Sequence, residues 1–339
     1  MSGDVRVSAF GLTDLGRTRD HNEDTFLVAD LAGPVVDPSG TTQHLVGPQG
    51  LMLLVADGMG GAAAGEIASQ MAADAVHRFL ASAPAPSDDA DGSALARHLR
   101  EAVQHANGVI HQYSVDHPDL NGMGTTATVV VVADAALTLG QIGDSRAYLI
   151  RAGEAVQLTK DQSLTQRLVD AGELTEEQAE RSERRNIILQ ALGPEPRVKV
   201  ALTHQPLRRD DALLICSDGL SGLVKRDEMG RIVSETADLR AACEQLIALA
   251  NERGGPDNVT VVLARFAGDG LPEDDVLPAG HHQLLVEDDS LEVPAVLPAS
   301  GYQTSEIPVL LPAPQARPLG MWVALLVGLI AAAAWVFLG

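Results

Sequence analysis

Four short acidic motifs constrain this chain more than any other feature of its sequence. They read RDHNED at residues 19–24, DGMGG at 57–61, SDG at 217–219 and GPDN at 255–258. Two of them directly follow apolar runs, and the last precedes one. An acid beside a buried strand is costly unless a positive charge neutralises it. Because Lys and Arg are scarce beside most of these acids, the motifs indicate a shared site for a hard divalent cation, as in a metal-dependent hydrolase.

The residue types in the motifs match the ligand preferences of Mg²⁺ or Mn²⁺. These ions take oxygen ligands, and a glycine after the acid lets the backbone carbonyl turn towards the ion. The sequence has no Cys/His cluster with zinc-ligand spacing, which argues against zinc. A single Asp-Gly pair is more often a hairpin turn. The metal interpretation therefore depends on the motifs acting together.

The composition supports a large folded domain and argues against nucleic acid as a partner. With 339 residues, 45% of them hydrophobic, the chain can bury a sizeable core. Its net charge of −22 opposes binding to a phosphate backbone, which needs clustered Lys and Arg. The two cysteines, Cys216 and Cys243, lie in apolar runs. They are interpreted as buried thiols in a reducing cytosol, with a disulfide as the open alternative.

The C-terminal sequence predicts a membrane anchor. Residues 321–338 contain no charged residue and no amide, and as a helix they would span about 27 Å, close to the bilayer core of about 30 Å. Trp322 and Trp335 lie near the two ends, where interfacial aromatics belong. The alternative is a buried helix that packs on the domain. We expect a single-pass tail anchor in the cell membrane with a cytoplasmic catalytic domain, because residues 1–10 have no secretory signal pattern.

Three regions follow from these patterns. Residues 1–267 read as a globular domain, residues 268–320 as an acidic, Pro-rich flexible linker, and residues 321–338 as the transmembrane helix. Residues 33–50 form a long Gly/Pro-rich connection without a predicted role, and residues 162–196 form a second, short-helical excursion.

Short β-branched segments predict strands, and longer periodic segments predict helices. The predicted strands are 5–13, 25–29, 51–56, 125–133, 135–142, 146–151, 198–204, 212–216 and 259–266, and the predicted helices are 63–81, 93–117 and 238–253. Ser93 and Asp238 are the predicted N-caps of the last two helices. Strands joined by tight turns, with the helices grouped, predict an α+β fold with antiparallel sheets inside and helices outside.

The motifs, their order and their separations resemble those of the metal-dependent serine/threonine protein phosphatases of the PPM, or phosphatase 2C, family, in particular its bacterial branch. Further matches are GMGTT at 122–126, GQIGDSR at 140–146 and RNII at 185–188. The resemblance covers nearly all of residues 5–266. It implies a four-layer α-β-β-α sandwich of two antiparallel sheets flanked by helix pairs, with a two-metal centre in a cleft at one end.

The resemblance also implies metal ligands in this sequence. Asp57 matches the aspartate that bridges two metals, and Gly58 matches the residue whose carbonyl binds one of them. Asp218 and Asp257 match ligands of the other metal. Asp119 matches the aspartate that, with Asp218, binds a third metal in bacterial members; the alternative for Asp119 is a solvated loop acid.

Four further residues receive roles from the resemblance. Glu23 and Asp24 match acids that hold metal-bound waters, and Asp144 matches an outer-shell acid or, alternatively, an acid that caps a turn. Arg19 matches the arginine that grips the substrate phosphate, for which its planar fork is suited. A structural salt bridge from Arg19 to Glu23 is the alternative, and both can hold.

Some positions depart from the family pattern. Met59 stands where eukaryotic members have a histidine, which leaves the general acid unassigned. Gln162 and Gln190 replace residues that are common in the mobile flap of relatives, so they bear on substrate preference more than on activity. Three arginines of the same excursion could attract phosphorylated protein, although a solvated helix face explains such charges more often. They are Arg181, Arg184 and Arg185.

The mechanism implied by the resemblance needs two Mn²⁺ or Mg²⁺ ions, with a weaker third as an option. Ions roughly 4 Å apart lower the pKa of a shared water, and the resulting hydroxide attacks phosphorus in line. The ions and Arg19 neutralise the charge on the phosphoryl oxygens. No covalent phospho-enzyme is needed, so Cys216 and the serines are not nucleophiles in this scheme.

We therefore expect an enzyme that hydrolyses phosphoserine and phosphothreonine in proteins and reverses Hanks-type kinase signalling at the membrane. Its expected partners are phosphorylated proteins, serine/threonine kinases and, through the C-terminal helix, the membrane. One rival is a non-catalytic module that binds phosphoproteins; a missing metal aspartate would favour it. A second rival is a phosphodiesterase or small-molecule phosphatase on the same scaffold, since fold and metals do not set the substrate.

Overall fold

The computed structural model describes residues 3–33, 42–47, 49–82, 92–273 and 278–284. Within these ranges the chain forms two β-sheets, seven α-helices and one 3₁₀ helix. The sheets are the skeleton of the domain, and the helices cover their outer faces.

The strands and helices are numbered in chain order. The strands are β1 Arg6–Asp14, β2 Asp24–Asp30, β3 Thr42–Leu45, β4 Leu51–Met59, β5 Gly124–Thr125, β6 Ala127–Ala133, β7 Ala136–Ile142, β8 Arg146–Arg151, β9 Glu154–Gln157, β10 Ala201–Pro206, β11 Ala212–Cys216 and β12 Val259–Ala267. The helices are α1 Ala62–Ala81, α2 Ser93–Asp116, α3 Leu164–Asp170, α4 Glu176–Glu180, α5 Asp218–Ser221, α6 Arg226–Glu235 and α7 Leu239–Glu252, and the 3₁₀ helix is Pro118–Leu120.

Every strand pair in the two sheets is antiparallel. The first sheet has the order β3-β1-β12-β11-β8-β9. The second has the order β10-β7-β6-β4-β2, and the short β5 pairs with the end of β4. The sequence prediction of two antiparallel sheets with helices outside is confirmed.

The central strands are apolar on both faces, because each sheet is covered on both sides. In β4, Leu51, Leu53 and Val55 point into the core between the sheets. The alternate residues Met52 and Leu54 pack under α1 and α2. Successive side chains of a strand point to opposite faces, so a continuous apolar run is what a doubly covered strand requires.

The other outer core lies between the first sheet and α6 and α7. Strand β12 places Val261 and Leu263 in this core, and Val262 and Ala264 in the core between the sheets. Cys243 of α7 lies in the same outer core. The layers therefore run helix, sheet, sheet, helix, as the family resemblance implies.

Two predicted helix caps have different outcomes. Asp238 is the N-cap of α7, and its carboxylate accepts a 2.8 Å hydrogen bond from the backbone N–H of Ala241. The prediction for Ser93 is wrong, because Ser93 is the first helical residue of α2 and Gly92 is the N-cap. Gly92 has a φ of 71°, and a Cβ there would lie 2.4 Å from the ring of His204. The close approach and the left-handed backbone both favour glycine.

Parts of the predicted flexible linker, residues 268–320, contact the domain. In the predicted linker, the N–H of Gly270 donates to the carbonyl of Asp4, and Leu284 donates to Leu202. Leu271 is only 2% exposed. The described parts of the predicted linker are thus packed on the domain.

The predicted transmembrane helix at 321–338 lies outside the described residues. None of the helices within the described ranges has the length and apolar character needed to cross a bilayer. The membrane anchor therefore stays a prediction.

Candidate active site

Two predicted acids lie opposite each other on neighbouring strands. Asp24 at the start of β2 is the register partner of Asp57 near the end of β4. Strand β4 extends through Met59, so Asp57 lies within the strand. The predicted strand 51–56 ended one residue before Asp57. The backbone of Asp57 is fixed by Thr126, whose hydroxyl accepts from the Asp57 N–H at 3.0 Å.

Gly58 is held at a crowded point next to Asp57. Its N–H donates to the carbonyl of Glu23 at 3.1 Å. A Cβ at this position would lie 2.2 Å from the carbonyl oxygen of Gly65 in α1. Only glycine fits there, which explains the Asp-Gly sequence without assuming a turn.

The third and fourth acidic motifs meet where β11 ends and β12 begins. Asp218 is the first residue of α5. A Cβ on the following Gly219 would lie 1.9 Å from the carbonyl oxygen of Asn258. This close approach brings the SDG turn against the GPDN turn, so Asp218 and Asp257 belong to one end of the sandwich.

Asn258 joins the first and last motifs, and sequence reasoning gave it no role. Its side-chain oxygen accepts from the backbone N–H of Glu23 at 2.9 Å. Its side-chain nitrogen donates to the carbonyls of Leu15 and His21 at 3.1 and 3.0 Å. Its own N–H donates to the carboxylate of Asp257 at 2.8 Å. The residue thereby fixes three segments around the acids.

Ser217 is a second supporting residue that sequence reasoning missed. Its hydroxyl donates to the carboxylate of Asp24 at 2.8 Å and accepts from the N–H of Thr260 at 3.0 Å. These contacts tie β11, β12 and β2 together beneath the acids. The only sequence signal was a serine between an apolar run and an Asp-Gly pair.

The acids form one electrostatic cluster. Burial raises the pKa of Asp24 and of Asp144 to about 7, and nearby carboxylates add to both effects. Burial, followed by the charges of Asp24, Asp218 and Asp144, holds the pKa of Asp57 well above its usual range. Burial and the charge of Asp257 also raise the pKa of Asp218. Such mutual repulsion is what a bound cation would relieve.

The donor set of the cluster fits a hard cation. Within the described residues, buried carboxylate oxygens of Glu23, Asp144 and Asp218 have no hydrogen-bond partner. Buried polar atoms are normally paired, so each of these oxygens needs an explanation such as an ion. Among the described residues, there is no group of three or more Asp, Glu, His or Cys side chains whose present arrangement could hold a metal ion. The fit rests on the unpaired oxygens and the charge of the cluster.

Arg19 lies at the edge of the cluster and is about half exposed. One guanidinium nitrogen is 2.8 Å from the carboxylate of Asp257, and the other is 3.7 Å from Glu23. The side chain of Arg19 is 45% exposed. The predicted salt bridge to Glu23 is present, and the exposed part of the guanidinium is free to meet a solvent-borne anion.

The remaining predicted ligand, Asp119, is placed differently. It lies in the exposed 3₁₀ turn Pro118–Leu120, and its charge is not among the main causes that shift the pKa of Asp218. The role of Asp119 as a ligand of a third metal stays a prediction.

A fully paired acid borders the cluster. Arg146 of β8 donates to both carboxylate oxygens of Asp161, at 2.9, 3.1 and 2.7 Å. The charge of Arg146 lowers the pKa of Asp144 and Asp218 against the raising effect of burial. The pair stands where the chain leaves the domain for residues 162–196.

Comparison with known proteins identifies relatives of this arrangement. The profile of a family described as Protein phosphatase 2C matches residues 41–257. The Serine/threonine phosphatase stp of Listeria monocytogenes is 38% identical over 252 residues, which cover 74% of this chain and 92% of that protein. The Serine/threonine protein phosphatase PstP of Mycobacterium tuberculosis is 44% identical over 214 residues, which cover 63% of this chain and 40% of that protein.

Solved structures show the same fold. The crystal structure of Mycobacterium tuberculosis PstP/Ppp has a TM-score of 0.64 and 36% identity, over 77% of this chain and 99% of that one. A structure of the PstP catalytic domain in complex with two manganese ions has a TM-score of 0.63 and 35% identity, over 78% and 99% of the two chains.

Proposed function

The chain belongs to the protein phosphatase 2C family and is a protein phosphatase, and we propose that it hydrolyses phosphoserine and phosphothreonine in proteins with a metal-activated water. The observation that carries this proposal is the cluster of buried, mutually repelling carboxylates beside Arg19. A cluster of acids with unpaired oxygens is suited to bind cations, and the adjacent guanidinium is suited to bind an oxyanion.

The residues that would hold two Mn²⁺ or Mg²⁺ ions are Asp57, Gly58, Asp218 and Asp257. Asp57 is proposed to hold both ions, as the family resemblance implies, and it lies among the other acids, whose charges add to the effect of burial and raise its pKa. When bound, the ions lower the pKa of water and supply a nucleophile near neutral pH. The manganese structure of PstP supports this choice of metal.

The surrounding acids orient what the ions hold. Glu23 and Asp24 are proposed to position water through their carboxylates, and Asp24 is itself fixed by Ser217. Asp144 contributes charge from the outer side of the cluster, and Asp119 is proposed as a ligand for a weaker third ion. None of these acids needs to form a covalent bond to the substrate.

Arg19 is proposed to bind the phosphate dianion. In the structure its guanidinium is engaged by Asp257 at 2.8 Å, which fixes one nitrogen and leaves the exposed part for the substrate. A planar fork can hold two phosphoryl oxygens and neutralise their charge during in-line attack. Arg19 is thus both a phosphate ligand and a structural partner of the metal acids.

Turnover of a phosphothreonine peptide by the full chain tests the proposal. We expect hydrolysis in Mn²⁺ or Mg²⁺ and none in EDTA, with the matching unphosphorylated peptide as the product. A chain that binds the peptide without turnover would be the phosphoprotein-binding module. Preference for bis-p-nitrophenyl phosphate or a small phosphate ester over the peptide would indicate the phosphodiesterase or small-molecule alternative.

We further propose that residues 321–338 anchor the enzyme in the cell membrane, with the catalytic domain in the cytoplasm. Its partners there would be serine/threonine kinases of the Hanks type and their phosphorylated substrates, and tethering would raise its effective concentration near them. The support is the uncharged eighteen-residue run with a tryptophan near each end. In membrane fractions washed with alkaline carbonate, the full chain should stay in the pellet, whereas a chain that ends at residue 320 should be released.

A further inference from the structure

A segment of the predicted linker is built into the edge of the second sheet. Residues 278–284, termed the strap, run along the free side of β10. The N–H of Leu284 donates to the carbonyl of Leu202 at 2.9 Å, and Thr203 and Gln283 form an antiparallel bridge. At the other end the N–H of Gly280 donates to the side chain of Gln205 at 3.2 Å. The strap therefore occupies an edge that would otherwise offer unpaired backbone groups.

Apolar side chains hold the strap as well. Ala279 packs against the core between the sheets, and Leu284 packs against the core under α1 and α2. Backbone pairing and burial at both ends distinguish this segment from a linker that merely passes the domain.

The most specific contact of the strap is made by His281. Its Nδ1 lies 2.8 Å from the carbonyl oxygen of Leu158 and 3.3 Å from the hydroxyl of Thr203. Because a carbonyl oxygen can only accept, Nδ1 carries the proton in this arrangement. The ring of the neighbouring His282 lies 2.7 Å from the carbonyl oxygen of Pro278, which belongs to the strap itself.

Leu158 lies four residues before, and Thr203 seven residues after, the excursion at residues 162–196, which is termed the flap segment. On the outgoing side, the N–H of Gln162 donates to the carbonyl of Gly143 at 2.9 Å. On the returning side, the carbonyl of Lys199 accepts from the side chain of Gln162 at 3.3 Å. One imidazole thus contacts the chain just before the flap segment begins and just after it ends.

The same region leads directly to the acidic cluster. The N–H of Gly143 donates to the side-chain oxygen of Gln162 at 3.0 Å, and the next residue is Asp144. The stem of the flap segment is closed by the N–H of Leu189, which donates to the carbonyl of Gln162 at 2.8 Å. A movement of the base of the flap segment, at Leu158 and Thr203, would therefore displace both its stem at Gln162 and the turn that carries Asp144.

We propose that His281 is a positioning residue, which holds the base of the flap segment through Leu158 and Thr203 and thereby orders the surface over which a protein substrate reaches the acids. The part of this inference that concerns substrate rests on the proposed function. The part that concerns the order of the flap segment does not depend on it.

Three full-chain variants test the proposal: H281A, which removes the contact; H281N, whose amide nitrogen can replace Nδ1; and H282A, the matched control. Hydrogen exchange of the amides of residues 162–190 is the first measurement. We expect about three- to tenfold faster exchange in H281A, as for the loss of one hydrogen bond. We expect H281N to restore the original rate and H282A to leave it unchanged.

Steady-state kinetics with two substrates is the second measurement. In H281A the KM for a phosphothreonine peptide should rise about three- to tenfold, because an ordered flap surface contributes to binding the peptide. For p-nitrophenyl phosphate, which reaches the acids without the flap segment, both kcat and KM should stay within about twofold of the original chain. A chain inactive on both substrates but with the expected exchange pattern would reject the proposed function and retain the positioning role.

Two results would overturn the proposal. One is flap exchange that is the same in H281A, H282A and the original chain. The other is faster exchange throughout the domain, including β12, which would make His281 a general stability residue. Should H281A fail to fold, H281Q takes its place, since its amide nitrogen sits one bond further out and cannot reproduce the Nδ1 contact.

Discussion

Two sets of acids in this domain both have buried carboxylate oxygens but differ in their partners. Asp211, 1% exposed, receives two hydrogen bonds from Arg151, at 2.9 and 2.7 Å, and one from the backbone N–H of Arg208 at 2.8 Å. Asp144, 5% exposed, and Asp218 each keep a buried oxygen without a partner in the described residues. The first acid is neutralised within the fold, and the other two are not.

The difference teaches how structural and functional acids can be told apart. A fully buried carboxylate whose two oxygens are both bound by one arginine has its charge neutralised within the fold. A cluster of unpaired carboxylates destabilises the protein on its own, so its presence indicates that something else supplies the positive charge. Sequence context follows the same division, because Asp211 is preceded by two arginines, at positions 208 and 209, whereas Asp57 and Asp218 are followed by glycine.

The largest effect should come from Asp57→Asn. The change keeps the shape of the side chain but removes the charge proposed to bridge the ions, so kcat should fall by at least about 100-fold. Hydrolysis of p-nitrophenyl phosphate in saturating Mn²⁺ measures it. In EDTA at pH 7.5 the variant should melt no lower than the original chain, because one repelling charge is gone. Near-normal turnover would place the bridging role elsewhere.

Asp211→Ala should have the opposite profile. Removal of this partner leaves Arg151 buried without its carboxylate, and the free energy of unfolding should fall by about 3–5 kcal/mol. Activity per folded molecule should be unchanged. Urea unfolding in Mn²⁺ and in EDTA measures the loss, which should be similar in both. The matched control is Glu273→Ala, which removes an exposed partner of Arg209 and should cost less than about 1 kcal/mol.

The acidic cluster should make the metal-free protein less stable as the pH rises. Asp24 and Asp144 have a pKa of about 7 in the folded chain, against about 3.9 when unfolded. The folded state therefore binds more protons between these values, and the stabilisation present below pH 4 is lost as the pH rises through 7. The free energy of unfolding in EDTA should fall by roughly a few kcal/mol from pH 5 to pH 8.

Mn²⁺ should reverse this trend, because it neutralises the same acids and binds best when they are ionised. Unfolding curves at pH 5 and pH 8, each with EDTA or Mn²⁺, provide the measurement. The Asp211→Ala chain should show the same pH slope as the original. A metal-free protein that gains stability between pH 5 and pH 8 would show that these carboxylates are not protonated in the folded state.

The doubly covered sheets were predictable because β4 and β12 are apolar on both faces over their central residues. The edge strands β3 and β9 were not predicted, because TQHL and EAVQ are short and carry few apolar residues. Their pairing depends on β1 and β8, which a local pattern does not contain. The strand predicted at 198–204 was shifted for a similar reason, since β10 is set by its register with β7.

Asp57 and Asp218 stand out in the sequence because an acid next to glycine after an apolar run has a local signature. Glu23, Asp24 and Asp144 were given roles only by the family resemblance. Asn258 and Ser217 have no such signature. The contact of Asn258 with Glu23 joins residues 235 positions apart, and that of Ser217 with Asp24 joins residues 193 apart. Such supporting contacts follow from the packing of β2, β11 and β12. They become visible only when the fold is known.

The smallest effect should come from Asp119→Ala, which tests whether the cluster extends beyond its buried acids. Asp119 is exposed in its 3₁₀ turn, so its removal should not change the melting temperature. If it binds a third ion weakly, the Mn²⁺ concentration for half-maximal turnover should rise by up to about tenfold, with a smaller change in kcat at saturation. Asp116→Ala, at the end of α2, is the matched control for the loss of one exposed acid. Equal Mn²⁺ dependence in the two variants would make Asp119 a solvated loop acid and would confine the metal site to the other acids of the cluster.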